Sequence, residues 1–290
     1  MHKVMVLGRE GMLGQMAYHQ LSRSGKLIVR STCLENKSDP FYFNAEEGLN
    51  GLYQIFERHG PFDYVINCIG IISNKIDEHN HESLRRAILI NALFPHDLAV
   101  LARAKGARVI HISTDGVFAR KAGVCLEDTP CDCEDAYGKT KSLGEVKTSC
   151  FLNLRCSIIG PNAVEKGGLL EWFRSQPPGA EVHGYTDHMW NGVTTFQFAR
   201  LCERLIINEV FDTVREESPV HHFCPNQAVS KYELLQLFRT VLRPDITVKP
   251  IKGPGTPISR ILDTRYHELK DLFGYEKSMK DAIEDLANEV

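Results

Sequence analysis

The sequence predicts an α/β protein built on a doubly wound parallel sheet, with a smaller C-terminal α/β lobe. Three observations predict it. Short apolar runs alternate with stretches of helical periodicity over the first half of the chain, the first run passes straight into a glycine-rich turn, and the later runs end in small or polar residues. Strands that alternate with helices pair in parallel and are buried on both faces. With 290 residues, 43% of them hydrophobic, the chain holds a sizeable core.

The elements follow in order. "KVMVLG" (3 to 8) is a compact strand, and in "MLGQMAYHQLSRSG" the apolar Met12, Leu13, Met16, Ala17 and Leu21 recur at helical spacing. "KLIVRS" (26 to 31) and "DYVINCIG" (63 to 70) read as strands. "LRRAILINALFPHDLAVLARAKG" (84 to 106) reads as helix with a break near Pro95, and "ARVIHIST" (107 to 114) as the next strand. After "FLNLRCSIIGP" (151 to 161) the rhythm loosens, so the main domain is expected over 1–160, with later segments returning to it, and the smaller lobe mainly over 161–290. Ser230 and Glu233 form a capping-box pattern at the head of "SKYELLQLFRTVL", and "DITVKPI" (245 to 251) reads as a short strand.

Ligands of open parallel sheets sit at the carboxyl ends of the strands. The first strand ends in "GREGMLG", where Gly8, Gly11 and Gly14 let the backbone approach a pyrophosphate and the following helix offers free N–H groups. This is a Rossmann-type arrangement, with Arg9, Met12 and Leu13 completing the turn. The second strand ends in "IVRST"; Arg30, with Arg9, favours the 2′-phosphate of NADP(H), with NAD(H) still open. The later strands end at Cys68, Ile69 and Gly70 and at Ser113 and Thr114, small or polar where a nicotinamide and its ribose need close approach.

"DAYGKTKSLGE" (135 to 145) opens a helix in which Tyr137 and Lys141 stand four apart, about 5–6 Å from each other on one face. A tyrosine of ordinary pKa about 10 is a poor base near neutrality. A neighbouring ammonium and a nicotinamide cation favour its phenolate and are expected to lower that value. Thr114 can bond a substrate oxygen beside the pair. Tyr266 and Lys270 repeat the spacing in "YHELK", far beyond the sheet, and read as helix surface.

Several classes are disfavoured. A net charge of -3 with mixed signs gives no basic stripe for nucleic acid. No apolar run reads as a membrane span, and the N-terminus carries no signal-peptide cleavage pattern, so a cytoplasmic protein is expected. Nine scattered cysteines lack zinc-site spacing and read as reduced, mostly buried thiols. His183, His188, His221 and His222 show no ligand spacing either, so no metal is expected.

Together "GREGMLG", "STDGVF", "YGKTK" and "INALFP" resemble the short-chain dehydrogenase/reductase superfamily. Within it the chain is most similar to the dTDP-4-dehydrorhamnose reductase family, clearly over 1–160 and more loosely through "LRCSIIGP", "WNGVTT" and "SRILDT". The resemblance implies that Thr114, Tyr137 and Lys141 are catalytic. Tyr137 would protonate the C4 oxygen of a nucleoside-diphosphate 4-keto-6-deoxy sugar as NADPH delivers hydride, and Thr114 would orient the carbonyl. It places Asn91 near the active site, counts Asp115 as a substrate-binding candidate, and makes Trp190 and Asn191 candidates for the sugar or base pocket. Gly116 departs from the family's "STDYVF" and removes an aromatic ring beside the site. Two other readings keep the same fold: an epimerase or dehydratase with a recycled cofactor, and a non-catalytic NADP-binding protein similar to the regulatory beta subunit of methionine adenosyltransferase. A homodimer stays open.

Overall fold

The computed structural model describes residues 1–119, 123–162, 167–255 and 257–289. Its centre is a six-stranded parallel sheet. β1 (His2–Leu7) pairs with β2 (Leu27–Ser31) on one side and β3 (Tyr64–Asn67) on the other. β4 (Arg108–Thr114), the strand Phe151–Cys156 and the strand Val220–His222 continue outward from β3. The order reverses between β1 and β3, so the crevice beyond their carboxyl ends is the topological switch point where α/β sheets take ligands.

Both faces of the sheet are covered, which is why its strands read as apolar runs rather than alternating ones. On one face α1 (Met12–Arg23) packs against helix Thr195–Ile207 over Val4, Val6 and Ile66. On the other, helices Asn50–His59 and Phe94–Lys105 cover Met5, Leu7, Val65 and Val109.

The helical stretch before β4 differs from its expected form. Pro95 does not break it: the chain runs from helix His81–Ala87 through a π-helical turn, Ile88–Leu93, into the helix that carries Pro95 in its first turn. Inside a continuous helix a proline removes one bond of the ladder, and the π-helical turn directly before it is where the bonding pattern shifts. By length and composition this 25-residue helix could cross a membrane, but Leu98, Leu101 and Ala102 are fully buried against the sheet, as a core helix requires.

The outer lobe is assembled from distant segments. Its four-stranded sheet runs Val229–Ser230, His188–Trp190, Ile258–Leu262 and Gly123–Cys125, and a parallel pair joins Glu181–Tyr185 to Thr247–Ile251. A linear boundary at residue 160 is therefore only approximate: Gly123–Cys125 lies in the outer sheet, while Thr195–Ile207 and Val220–His222 return to the central layer. Helix Lys231–Val241 begins at the expected capping box, with Ser230 Oγ accepting from Glu233 N and the Glu233 carboxylate accepting from Ser230 N. All nine cysteines are unpaired and five are buried.

Candidate active site

The carboxyl ends of β1, β3 and β4 open into a cavity of about 580 Å³, closed on its far side by the outer lobe. Gly11, Met12, Leu13, Cys68, Ile69, Gly70 and Ser113 line the sheet side, Thr114, Tyr137 and Lys141 the centre, and Asp115, His188 and Trp190 the outer side.

The glycine turn is shaped by close backbone approach. Gly8 has φ +79°, and a Cβ on Gly14 would stand 2.0 Å from the Gly8 carbonyl oxygen. Gly11 N donates to Gly8 O at 3.1 Å, and Gly8 N to Thr32 Oγ1 at 3.1 Å. Helix α1 starts at Met12, so its leading N–H groups, which have no partner inside the helix, lie at the cavity wall. Arg9 stacks on Tyr18 at 4.7 Å and Arg30 donates to Val29 O; both are exposed, and neither lines the cavity among the described residues.

Thr114 ends β4, and its Oγ1 accepts from Gly116 N at 3.0 Å, which fixes the hydroxyl toward Tyr137. Tyr137 lies in the first turn of helix Ala136–Leu143, whose N-cap Asp135 accepts from Gly138 N at 2.7 Å. A Cβ on Gly116 would lie 3.0 Å from Tyr137 Cε1, so the absent side chain is what lets the ring rest on that backbone. In the protein alone the tyrosine pKa moves up. Burial pushes the phenol up to about 12, and the Thr114 hydroxyl only partly offsets it. Tyr137 is therefore a neutral phenol near pH 7, a proton donor rather than a base.

Lys141 is buried, with Nζ donating to Ile112 O at 2.7 Å. Burial lowers its pKa to about 8 against the opposing pull of Glu145, Cys156 and Cys68. Burial also pushes the Cys68 thiol up to about 12, so the thiol is uncharged. Ser113 reaches the cavity, but its hydroxyl donates to Glu145 Oε1 at 2.6 Å, within a buried pair between Glu145 and Arg155.

Two expected ligand contacts move elsewhere. Asn91 is buried in the π-helical turn, where its Oδ1 accepts from Ile71 N at 2.8 Å and its Nδ2 donates to Ile71 O and Thr140 Oγ1. It holds the loop after β3 and has no free amide for a substrate. Asn191 spends its side chain on the backbone of Leu262, tying two outer strands together. Trp190 does line the cavity, its Nε1 donating to Ser157 Oγ at 2.8 Å. Tyr266 precedes helix Glu268–Phe273 rather than lying on it, and packs on His221 at 4.9 Å.

The fold adds two cations that motif reading did not single out. Lys231, at the first helical position after Ser230, places Nζ 4.7 Å from the Trp190 ring centroid; burial lowers it to about 8, opposed by Asp115. Arg260 brings Nε to 3.9 Å from Asp115 Oδ2. The capping box locates Lys231 on its helix and "SRILDT" contains Arg260, but only the packing of the outer sheet brings both to Tyr137.

The chain is similar to several known proteins. Over 147 residues the chain is 33% identical to spore coat polysaccharide biosynthesis protein SpsK of Bacillus subtilis, covering 50% of this chain and 47% of that protein. Over 149 residues it is 31% identical to dTDP-4-dehydrorhamnose reductase of Mycolicibacterium smegmatis, covering 49% of this chain and 40% of that protein. The chain thus spans about half the length of these curated relatives or less. A longer alignment, 25% identical over 245 residues, covers 80% of this chain and 71% of methionine adenosyltransferase 2 subunit beta of Danio rerio. The crystal structure of a dTDP-4-dehydrorhamnose reductase from Clostridium acetobutylicum shares the fold, with a TM-score of 0.75, 22% identity and 99% of each chain covered. The RmlD substrate binding domain family matches residues 1–260, nearly the whole of the chain, which therefore belongs to that family.

Proposed function

We propose that this protein is an NADPH-dependent reductase of a nucleoside-diphosphate 4-keto-6-deoxy sugar, in the assembly of a surface polysaccharide. The observation that carries the reading is the meeting of Thr114, a protonated Tyr137 and Lys141 at the switch-point cavity. The glycine turn fits a dinucleotide pyrophosphate, because a side chain at Gly14 would collide with Gly8 O and the α1 N–H groups border the cavity. Exposed Arg9 and Arg30 near the ends of β1 and β2 suit a 2′-phosphate.

NADPH, when bound, supplies the hydride. Thr114 Oγ1 orients the substrate carbonyl, and Tyr137 gives its phenolic proton to the C4 oxygen as charge develops there. Lys141 holds the nicotinamide ribose and, in its ammonium form, favours the phenolate left behind. Lys231 and Arg260 place positive charge at the outer wall, where a sugar diphosphate enters. Trp190 offers an apolar face to the ring.

The test is the loss of NADPH absorbance on a panel of nucleotide-linked 4-keto-6-deoxy sugars. Turnover by the native protein, with a loss of about 10²–10⁴-fold in Tyr137→Phe and unchanged NADPH binding, is expected. A second reading, a subunit that partners another enzyme, is favoured by the longer alignment with the adenosyltransferase subunit. NADPH binding without consumption on any panel member would move that reading ahead.

A further inference from the structure

A line of buried polar groups runs behind the cavity and ends on Lys141. Ile69 N donates to Asn67 Oδ1 at 3.1 Å. A backbone N–H can only donate, so it fixes the Asn67 oxygen on its own side and turns the NH₂ end away. That end meets His111 Nδ1 at 3.0 Å. An amide NH₂ can only donate as well, so Nδ1 must present its lone pair. His111 is fully buried, and both burial and the nearby Lys141 hold its pKa well below the usual histidine range, so the ring is neutral. A neutral imidazole with a bare Nδ1 carries its proton on Nε2. Nε2 faces Lys141 Nζ at 3.5 Å.

The last contact in the line is thus an N–H aimed at the lysine nitrogen. An ammonium there sets donor against donor, whereas an uncharged amine offers its lone pair. We propose that Asn67 and His111 are positioning residues which, through this one-way line of hydrogen bonds, favour the amine of Lys141 and keep it ready to exchange a proton in the working pH range. The groups facing Lys141 from the elements around it are Cys68 after β3, His111 on β4, Cys156 on the next strand, and Glu145 after its own helix. Glu145 favours the ammonium, but its carboxylate is shared with Arg155 and Ser113.

The catalytic consequence rests on the reductase reading, while the protonation argument does not. Once Tyr137 has given its proton to the substrate oxygen, a Lys141 ammonium can return one to the phenolate side of the cavity. It then becomes the amine that the His111 N–H stabilises, and regains a proton from water.

Two measurements on the full-length protein without substrate test this. ¹⁵N resonances of the histidine rings in the native protein should show His111 with a bare Nδ1 and the proton on Nε2; a proton on Nδ1 overturns the proposal. A titration of ¹³Cε-labelled lysines, with Lys141 assigned through Lys141→Met, should then be repeated in His111→Leu. Loss of the facing N–H should raise the Lys141 pKa by about one unit, a tenfold change in its proton affinity. If burial alone sets the value, leucine leaves it unchanged or lowers it further, and that result also overturns the proposal. Should His111→Leu fail to fold, the native tautomer decides alone. Neither readout involves turnover, so a failure here is distinct from a failure of the sugar panel.

Discussion

Gly116 and Tyr137 are in such close contact that a single methyl group should disturb the chemistry. In Gly116→Ala the new Cβ would stand 3.0 Å from Tyr137 Cε1 and 3.2 Å from Thr114 Oγ1, so the ring or the hydroxyl must shift by a few tenths of an ångström. The expected outcome in steady-state kinetics is a fall in kcat of about tenfold with little change in NADPH affinity, because orientation in the transition state is what changes. A second prediction concerns Lys141 and pH. Its folded pKa, about 8, lies below the ordinary value of 10.5, so between these values the unfolded chain binds more protons and stability rises with pH. The penalty of burying the ammonium is present below the folded pKa and is relieved as pH rises toward the unfolded one. Relative to Lys141→Met, the native protein should gain about 3 kcal/mol across that window, measured by urea unfolding at a series of pH values. Taking the difference from the variant cancels the titration of other groups.

At the scale of elements, the helix starts that border the site depend on side chains rather than on apolar periodicity. Ser230 and Glu233 satisfy each other's backbone at the head of helix Lys231–Val241, which also sets where Lys231 enters the cavity. Ser230→Ala should lose about 1 kcal/mol in chemical unfolding and raise the substrate KM, since the first turn that carries Lys231 is loosened. The π-helical turn Ile88–Leu93 is the other decisive element. It aims Asn91 at the loop after β3, where one amide satisfies both the N–H and the C=O of Ile71. Asn91→Leu leaves both backbone groups buried without those partners, and a loss of about 3 kcal/mol is expected on unfolding.

Across the whole molecule, the Glu145 and Arg155 pair links the site to the far edge of the sheet. Both side chains are 5% exposed, and Arg155 Nε and Nη2 donate to the two carboxylate oxygens at 2.7 Å each. Glu145 also accepts from Ser113 at the end of β4, and Arg155 lies over the Phe118 ring at 5.2 Å. Arg155→Met removes one partner and strands a buried carboxylate, so a destabilisation of about 3–5 kcal/mol is expected by chemical denaturation. The same change should impair turnover in the fraction that folds, because Ser113 and Thr114 share the strand end that the pair anchors.

The sequence by itself determined the parallel sheet, the glycine turn and the positions of Thr114, Tyr137 and Lys141. These depend on local rules: apolar runs for strands buried on both faces, glycine where backbones nearly touch, and helical spacing for a pair on one face. Tertiary structure decided the rest. Asn91 and Asn191 look like ligand residues in the sequence, yet each is used by a distant backbone segment, Ile71 and Leu262, that periodicity cannot locate. Lys231 and Arg260 reach the cavity only because the outer sheet draws together strands far apart in the chain. The upward direction of the Tyr137 pKa shift was also beyond sequence reading. Residue type and spacing name the neighbours of a titrating group, but burial, which exists only in the packed fold, outweighs them here.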